Sequence, residues 1–265
     1  MKRFIVFANE KYSGVLSVLL DSLECFSNAC VHVVCVNFKL PKEYPKFIVD
    51  EVTWPDEHAS DVGTHRIDYL IKHRISNAIL LDADCVANWN CDELLTVLDT
   101  PGNIRSLAPV AICGAFNPME AEYFKTDQHF RYINSTPMVV FPKTLDWFSD
   151  VWRSWPDLNK VFNDLHAHSS IDDECAFNYL RAMAGERHHM SCCAPDRFMF
   201  NIYFDNPSAH LKEELYFGQH VTWQFFHGEK DTAVARGMFE RMRDAGPDFL
   251  YRNPWRNKLP AVYCA

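Results

Sequence analysis

Asp82-Ala83-Asp84 is the only Asp-x-Asp in the chain, and it ends a short apolar run, Ala78-Ile79-Leu80-Leu81. Alternate side chains of a strand point to one side, so carboxylates two residues apart can reach a single cation. A hard divalent ion takes oxygen ligands and is commonly held by one or two carboxylates together with substrate phosphates. The tripeptide is common by chance, and its placement after a buried strand gives it weight.

Three further constellations offer chemistry. In Phe226-His227-Gly228-Glu229-Lys230 a histidine beside a glycine can approach a ligand closely, because glycine carries no side-chain bulk. Its imidazole suits Mn²⁺ better than Ca²⁺, and Lys230 can neutralise phosphate oxygens as a point charge. A solvated loop histidine and a surface lysine is the plainer reading of that segment taken alone. Asp172-Asp173-Glu174 stands before an apolar helical pattern from Cys175 to about Ala184. Carboxylates there can supply a general base or clamp a hydroxyl, or simply cap the helix and compensate its dipole. In Ala8-Asn9-Glu10-Lys11-Tyr12, after the first strand candidate, Asn9 can bond a base edge and Tyr12 can stack on it. An ordinary strand-to-helix loop explains the segment equally well. Arg66, early on a helix before the Asp-x-Asp strand, either reaches phosphates or caps a surface.

Other clusters carry less. His188-His189 with Cys192-Cys193 has the composition of a zinc site but not its spacing. His166 and His168 read as a polar loop, and the stripe around Trp152 reads as core.

The elements that must position these groups alternate. Phe4 to Phe7 and Val31 to Val36 read as buried strands, and Val15, Val18, Leu19, Leu23 and Phe26 fall at helical spacing between them. A short strand is predicted at Phe47 to Val49, a helix from Thr64 to Arg74, and then the Ala78 to Leu81 strand. This order predicts an α/β domain, its sheet mostly parallel and flanked by helices. Ligands of such sheets bind outside the carboxyl ends of the strands, where Asp82 and Asp84 fall. Met138 to Phe141 reads as a further strand. After Pro195 the chain is aromatic and turn-rich without clear periodicity, so one domain with an irregular tail is expected over residues 1–265.

Composition narrows the function. Acidic residues outnumber basic ones, 35 to 26, and the net charge of -9 argues against a nucleic-acid binder. The N-terminal apolar run is too short for a secretory segment, and no stretch is long enough to span a bilayer, so a cytoplasmic protein is expected. The ten cysteines include no Cys-x-x-Cys and read as buried free thiols in a reducing compartment.

Taken together, these residues resemble a GT-A fold glycosyltransferase, and most closely glycosyltransferase family 8, the glycogenin and lipopolysaccharide galactosyltransferase group. Leu80-Leu81-Asp82-Ala83-Asp84 followed by Asp92-Glu93-Leu94-Leu95 is the most specific match. Phe4 to Leu23 is similar to the family's first strand, nucleotide loop and long helix. Asn134-Ser135-Thr136 resembles a donor-sugar segment with Thr136 in place of glycine. Asp173-Glu174-Cys175-Ala176-Phe177-Asn178 resembles Asp-Gln-Asp-Ala-Leu-Asn with two changes, and His227-Gly228-Glu229-Lys230 a compressed His-x-x-Gly-x-x-Lys.

The resemblance implies a transferase that moves a sugar from a nucleotide-sugar, a UDP-sugar foremost, to a glycan or other hydroxyl acceptor. Asp82, Asp84 and His227 would bind Mn²⁺ or Mg²⁺. Ala8, Asn9, Tyr12 and Arg66 would hold the nucleotide, Asn134 the donor sugar and Lys230 the phosphates. Asp173 or Glu174 would face the anomeric centre. The resemblance favours a retaining outcome, and an inverting one stays open. Two alternatives remain. A sugar-phosphate nucleotidyltransferase would carry a Gly-rich first loop, where this chain has Gly14 alone. A catalytically inactive nucleotide- or carbohydrate-binding module on the same fold would not need an intact Asp-x-Asp.

Overall fold

The computed structural model describes residues 1–60, 62–89, 91–99, 105–106, 138–142, 145–146, 149, 199–201, 225–227 and 230–247. Among the sequence expectations, those on Asn134, on Trp152, on His166 and His168, on Asp172 to Glu174 and on His188 to Cys193 lie outside these residues.

The first half builds a parallel sheet. β1 (Arg3–Asn9) pairs with β2 (Cys30–Val36), and β2 with β3 (Ile48–Val52). On its other side β1 pairs with β4 (Ala78–Leu81), also parallel. The centres of β1 and β2 and all of β4 are buried, as strands covered on both faces must be, which is why they read as unbroken apolar runs. β3 lies at the edge and is half exposed. β5 (Cys85–Ala87), β6 (Arg105–Ser106) and β7 (Met138–Val140) follow in the chain. β7 pairs antiparallel with β4, and β6 antiparallel with β7, completing a six-stranded sheet in the order β3-β2-β1-β4-β7-β6. A second, three-stranded sheet, β5-β9-β8, contains β8 (Met199–Asn201) and β9 (Phe225–His227).

Helix α1 (Ser13–Phe26) buries Val15, Leu16, Val18, Leu19, Leu20 and Leu23. Its buried Ser22 bonds twice: the hydroxyl donates to Leu19 O and accepts from Ala87 N at 2.9 Å, fastening β5 to the helix. α2 (Asp56–Ser60) and α3 (Val62–Lys72) lie between β3 and β4. α3 stops in a Schellman-type turn: Arg74 N bonds Ile71 O and Ile75 N bonds Leu70 O, with Arg74 in the left-handed region at φ 52.

Among the described residues after Pro195 is a helix that the sequence pattern does not announce. Thr232–Ala245 is a 14-residue helix, α4. Asp231 caps it, accepting from Ala233 N and Val234 N, and Gly246 ends it at φ 75. Ala235, Met238, Phe239 and Met242 form its buried stripe, and Phe239 meets Phe26 edge-on at 5.7 Å. Burial of such side chains stabilises by about 1.5–3 kcal/mol each. α4 packs along α1, with Arg236 bonded to Asp21 and the Trp89 indole bonded to Met242 O. Burial raises the Asp21 carboxyl, but hydrogen bonds from Arg236, Lys42 and Tyr44 outweigh it and hold the group below its ordinary value. No helix among the described residues is long and apolar enough to cross a membrane.

Candidate functional site

β1, β2, β3 and β4 run parallel, so their carboxyl ends share one edge of the sheet. The β1–β4 pairing ends at Val6 with Leu81, while β1 stays paired with β2 as far as Asn9. The last residues of β1 therefore run past the point where β4 stops, and Asp82 begins at that step.

The Asp-x-Asp itself is not a strand end with side chains in alternation. Ala83 and Asp84 form a turn, closed by Cys85 N donating to Asp82 O at 3.2 Å. The turn carries the chain from β4 in the large sheet to β5 in the small one. Both carboxylates are thus set by a turn between two sheets. Asp84 is buried, at 8% exposure.

Arg66 lies against this turn. Its guanidinium donates to Asp82 Oδ1 at 2.6 Å, and its side chain is only 6% exposed. A charge-assisted bond of that length orients the carboxylate. The sequence left Arg66 either to reach phosphates or to cap a surface, and the resemblance set it at the nucleotide; in the structure it bonds Asp82.

β9 brings the distant histidine to the same turn. β5 and β9 pair antiparallel, and Cys85, the residue after Asp84, is in register with His227. The backbone thus juxtaposes residues separated by more than half the chain. Lys230 follows β9 and is exposed immediately before the α4 cap. A Cβ on Gly14 would stand 2.5 Å from Thr232 Oγ1, so glycine at the start of α1 lets the start of α4 approach closely.

In that loop Asn9 donates through Nδ2 to Ala59 O at 2.8 Å and ties β1 to α2. Its Oδ1 is buried without a hydrogen-bond partner among the described residues. Buried acceptors are seldom left so, and this one is an acceptor for an N–H donor. Tyr12 is half-buried against the core with Lys11 Nζ 5.5 Å from its ring centroid. Ala8 is buried within β1, leaving only its backbone for a ligand.

Two carboxylates at a turn are the hard oxygen donors a divalent ion requires. Among the described residues no group of three or more His, Cys, Asp or Glu stands ready as a metal cluster. The second half of the most specific sequence match is scaffold: Asp92 accepts from Ser27 Oγ and from Asn28 N, holding the end of α1, while Leu94 and Leu95 enter the core. The five described cysteines are free, and burial, helped by Glu51, pushes the Cys35 thiol up to about 12.

No family model matches the sequence, and no curated protein does. Solved structures do match in shape. The galactosyltransferase LgtC, solved with donor and acceptor sugar analogs, superposes with a TM-score of 0.59 at 13% identity, over 92% of this chain and 95% of LgtC. Mouse xyloside xylosyltransferase 1 gives 0.55 at 14% identity, over 86% of this chain and 97% of its own. The glycosyltransferase GlyE of Streptococcus pneumoniae TIGR4 gives 0.56 at 13% identity, over 95% of this chain and 62% of GlyE. At such identities the likeness is one of fold. It is the fold that the resemblance implied, a GT-A glycosyltransferase fold like that of glycosyltransferase family 8.

Proposed function

We propose that the protein is a metal-dependent glycosyltransferase, working in the cytoplasm, that moves a sugar from a UDP-sugar to a hydroxyl of a glycan. The observation that carries this reading is the register of β5 with β9, which sets His227 opposite the residue after Asp84 at the carboxyl edge of the sheet. Asp82, Asp84 and His227 are the residues that would hold Mn²⁺ or Mg²⁺. Bound there, the ion would supply Lewis-acid neutralisation of the departing diphosphate.

The chain's own residues do the rest. Arg66 holds the Asp82 carboxylate in place by its 2.6 Å bond. The orphaned Oδ1 of Asn9 would accept a base N–H, and uracil offers one. Ala8 would contribute backbone and Tyr12 its ring. Lys230, exposed just before the α4 cap, would meet phosphate oxygens, and Asn134 the donor sugar. Asp173 or Glu174 would face the anomeric carbon. In a retaining reaction such a carboxylate stabilises the oxocarbenium-like transition state or attacks it; in an inverting one it takes the acceptor's proton. Retention is the proposed outcome.

The test is nucleotide release from a panel of nucleotide-sugars with Mn²⁺, alongside thermal shifts with UDP and GDP. Metal-dependent stabilisation by UDP and hydrolysis of at least one UDP-sugar are expected. Asp84→Ala should abolish the metal-dependent UDP shift, a loss of more than about 100-fold in affinity, while the unliganded melting temperature changes little. If no nucleotide stabilises the protein in the presence of metal, the transferase reading fails.

A further inference from the structure

The side of α3 that carries His65, Asp68, Tyr69 and Lys72 borders a cavity of about 420 Å³, within the range of about 300–1,000 Å³ typical of small-molecule pockets. Trp54, just past β3, His58 of α2, and His65, Asp68, Tyr69 and Lys72 of α3 line it.

Its wall is made of rings held in place. His58 and His65 stack at 3.7 Å, with 19° between their planes. Trp54 stands edge-on to His65 at 6.4 Å and tilted against Tyr69 at 6.5 Å. The backbone of Trp54 is clamped by Asn37, which accepts from Trp54 N at 2.8 Å and donates to Trp54 O at 2.9 Å. Asn37 does this from the left-handed region, φ 59, which asparagine tolerates better than most residues. The Tyr69 hydroxyl donates to Asp50 Oδ2 at 2.7 Å, and His32 Nε2 meets the same oxygen at 2.7 Å. The Tyr69 ring stacks on His73 at 4.1 Å and meets Phe7 edge-on at 5.4 Å, so Tyr69 braces the wall from within.

The charges balance. Asp68 and Lys72, both exposed and one helical turn apart, are the ionised pair at the rim. The ring nitrogens of His58, His65 and His73, all in the lining, add further hydrogen-bonding groups. A lining with aromatic faces, mixed donors and acceptors and no excess charge suits a neutral, hydroxyl-rich molecule with apolar C–H faces. An anion would need surplus cations.

We propose that this groove is a saccharide-binding subsite, with Trp54 and His65 as its ring platform and Asp68 and Lys72 as its hydroxyl-bonding rim, that holds a neutral part of the acceptor away from the transfer centre. Its place on the acceptor rests on the glycosyltransferase reading; saccharide binding itself does not. The groove shares its supports with the nucleotide loop, because His58 adjoins Ala59, the partner of Asn9, and His65 adjoins Arg66.

The experiment is saturation-transfer NMR of the full chain with neutral oligomers of galactose, glucose and xylose, with inorganic phosphate as the anionic control. Thermal shift with UDP and Mn²⁺ is read on the same samples. At least one neutral oligomer should bind, Trp54→Ala should weaken it about tenfold or more, and the UDP shift should persist. Lys72→Met, at an exposed position, gives a second variant that folding defects do not confound, and it should weaken binding severalfold. The subsite is overturned if no oligomer binds, if binding survives both substitutions, or if phosphate binds in preference. A UDP shift without saccharide binding removes the subsite and leaves the transferase reading standing. Saccharide binding without a UDP shift does the reverse.

Discussion

Helix α3 has two unlike faces. On one, Arg66 is buried and bonded to Asp82 across the turn that also carries Asp84. On the other, one helical position away, His65, Asp68, Tyr69 and Lys72 border a groove whose charges cancel. The first face concentrates charge where a diphosphate and its ion would sit. The second presents ring faces and neutral hydrogen-bonding groups. A single helix can serve both because Arg66 is turned about 100° around the axis from its neighbour His65, whereas the groove residues His65, Asp68 and Lys72 gather on one side. The difference teaches that ionic chemistry and neutral recognition need no separate domains; one turn of helix keeps them apart.

Three substitutions test that separation. Arg66→Met has the largest expected effect. It leaves the Asp82 carboxylate without its guanidinium in a half-buried site, at a cost of about 3 kcal/mol in urea unfolding, and it should impair UDP binding while sparing saccharide binding. Unchanged stability would show that the pair orients Asp82 without supporting the fold.

Tyr69→Phe acts on the groove side. Loss of the hydroxyl bond to Asp50 should cost about 1 kcal/mol, weaken the groove and leave the UDP shift in place. This effect depends on pH. Burial raises the Asp50 carboxyl, but bonds from Tyr69 and His32 prevail and hold it below its ordinary value. A depressed carboxylate contributes stability above its unfolded pKa, about 3.9, and loses it as pH falls through the lower folded value. The gap between wild type and Tyr69→Phe should therefore be full at neutral pH and narrow below about pH 4. A gap that stays constant to acid pH would show that the hydroxyl bond acts without the carboxylate's charge.

The smallest effect is at the end of α3. Arg74→Gly removes a non-glycine residue from the left-handed region and should stabilise the protein by about 0.5–1 kcal/mol without moving either ligand's affinity, as denaturant titration would show. Loss of stability would mean that the Arg74–Asp146 ion pair outweighs the backbone strain.

Much of this arrangement is legible in the residues. The central strands announce themselves as apolar runs because both their faces are covered, and the Ala78–Leu81 strand is found at its full extent. β3 and α3 are displaced by a few residues from their predicted bounds, since half-exposed edges carry a weak pattern. Helix α4 is the clear omission. Asp231 before it, Gly246 and Pro247 after it and the stripe Ala235, Met238, Phe239, Met242 were the available signals, diluted by Gly237 and by charged residues on the outer face. The Asp-x-Asp was found, but its backbone is a turn, because the chain changes sheets there. The Arg66–Asp82 bond and the groove depend on tertiary packing. His58 and His65 are a helix apart, and nothing in their local spacing shows that their rings stack.

The pairing of Cys85 with His227 has a consequence in time. During synthesis the amino-terminal strands β1 to β4 emerge early and can pair with one another, for every contact among them spans a modest loop. The turn carrying Asp84 must wait until more than half the chain has followed before β9 can reach β5. Contacts of such long range form late and slowly. The large sheet is thus ready first and the pairing of β5 with β9 last, so a chain halted short of residue 227 would have its central strands without the strand that completes this corner.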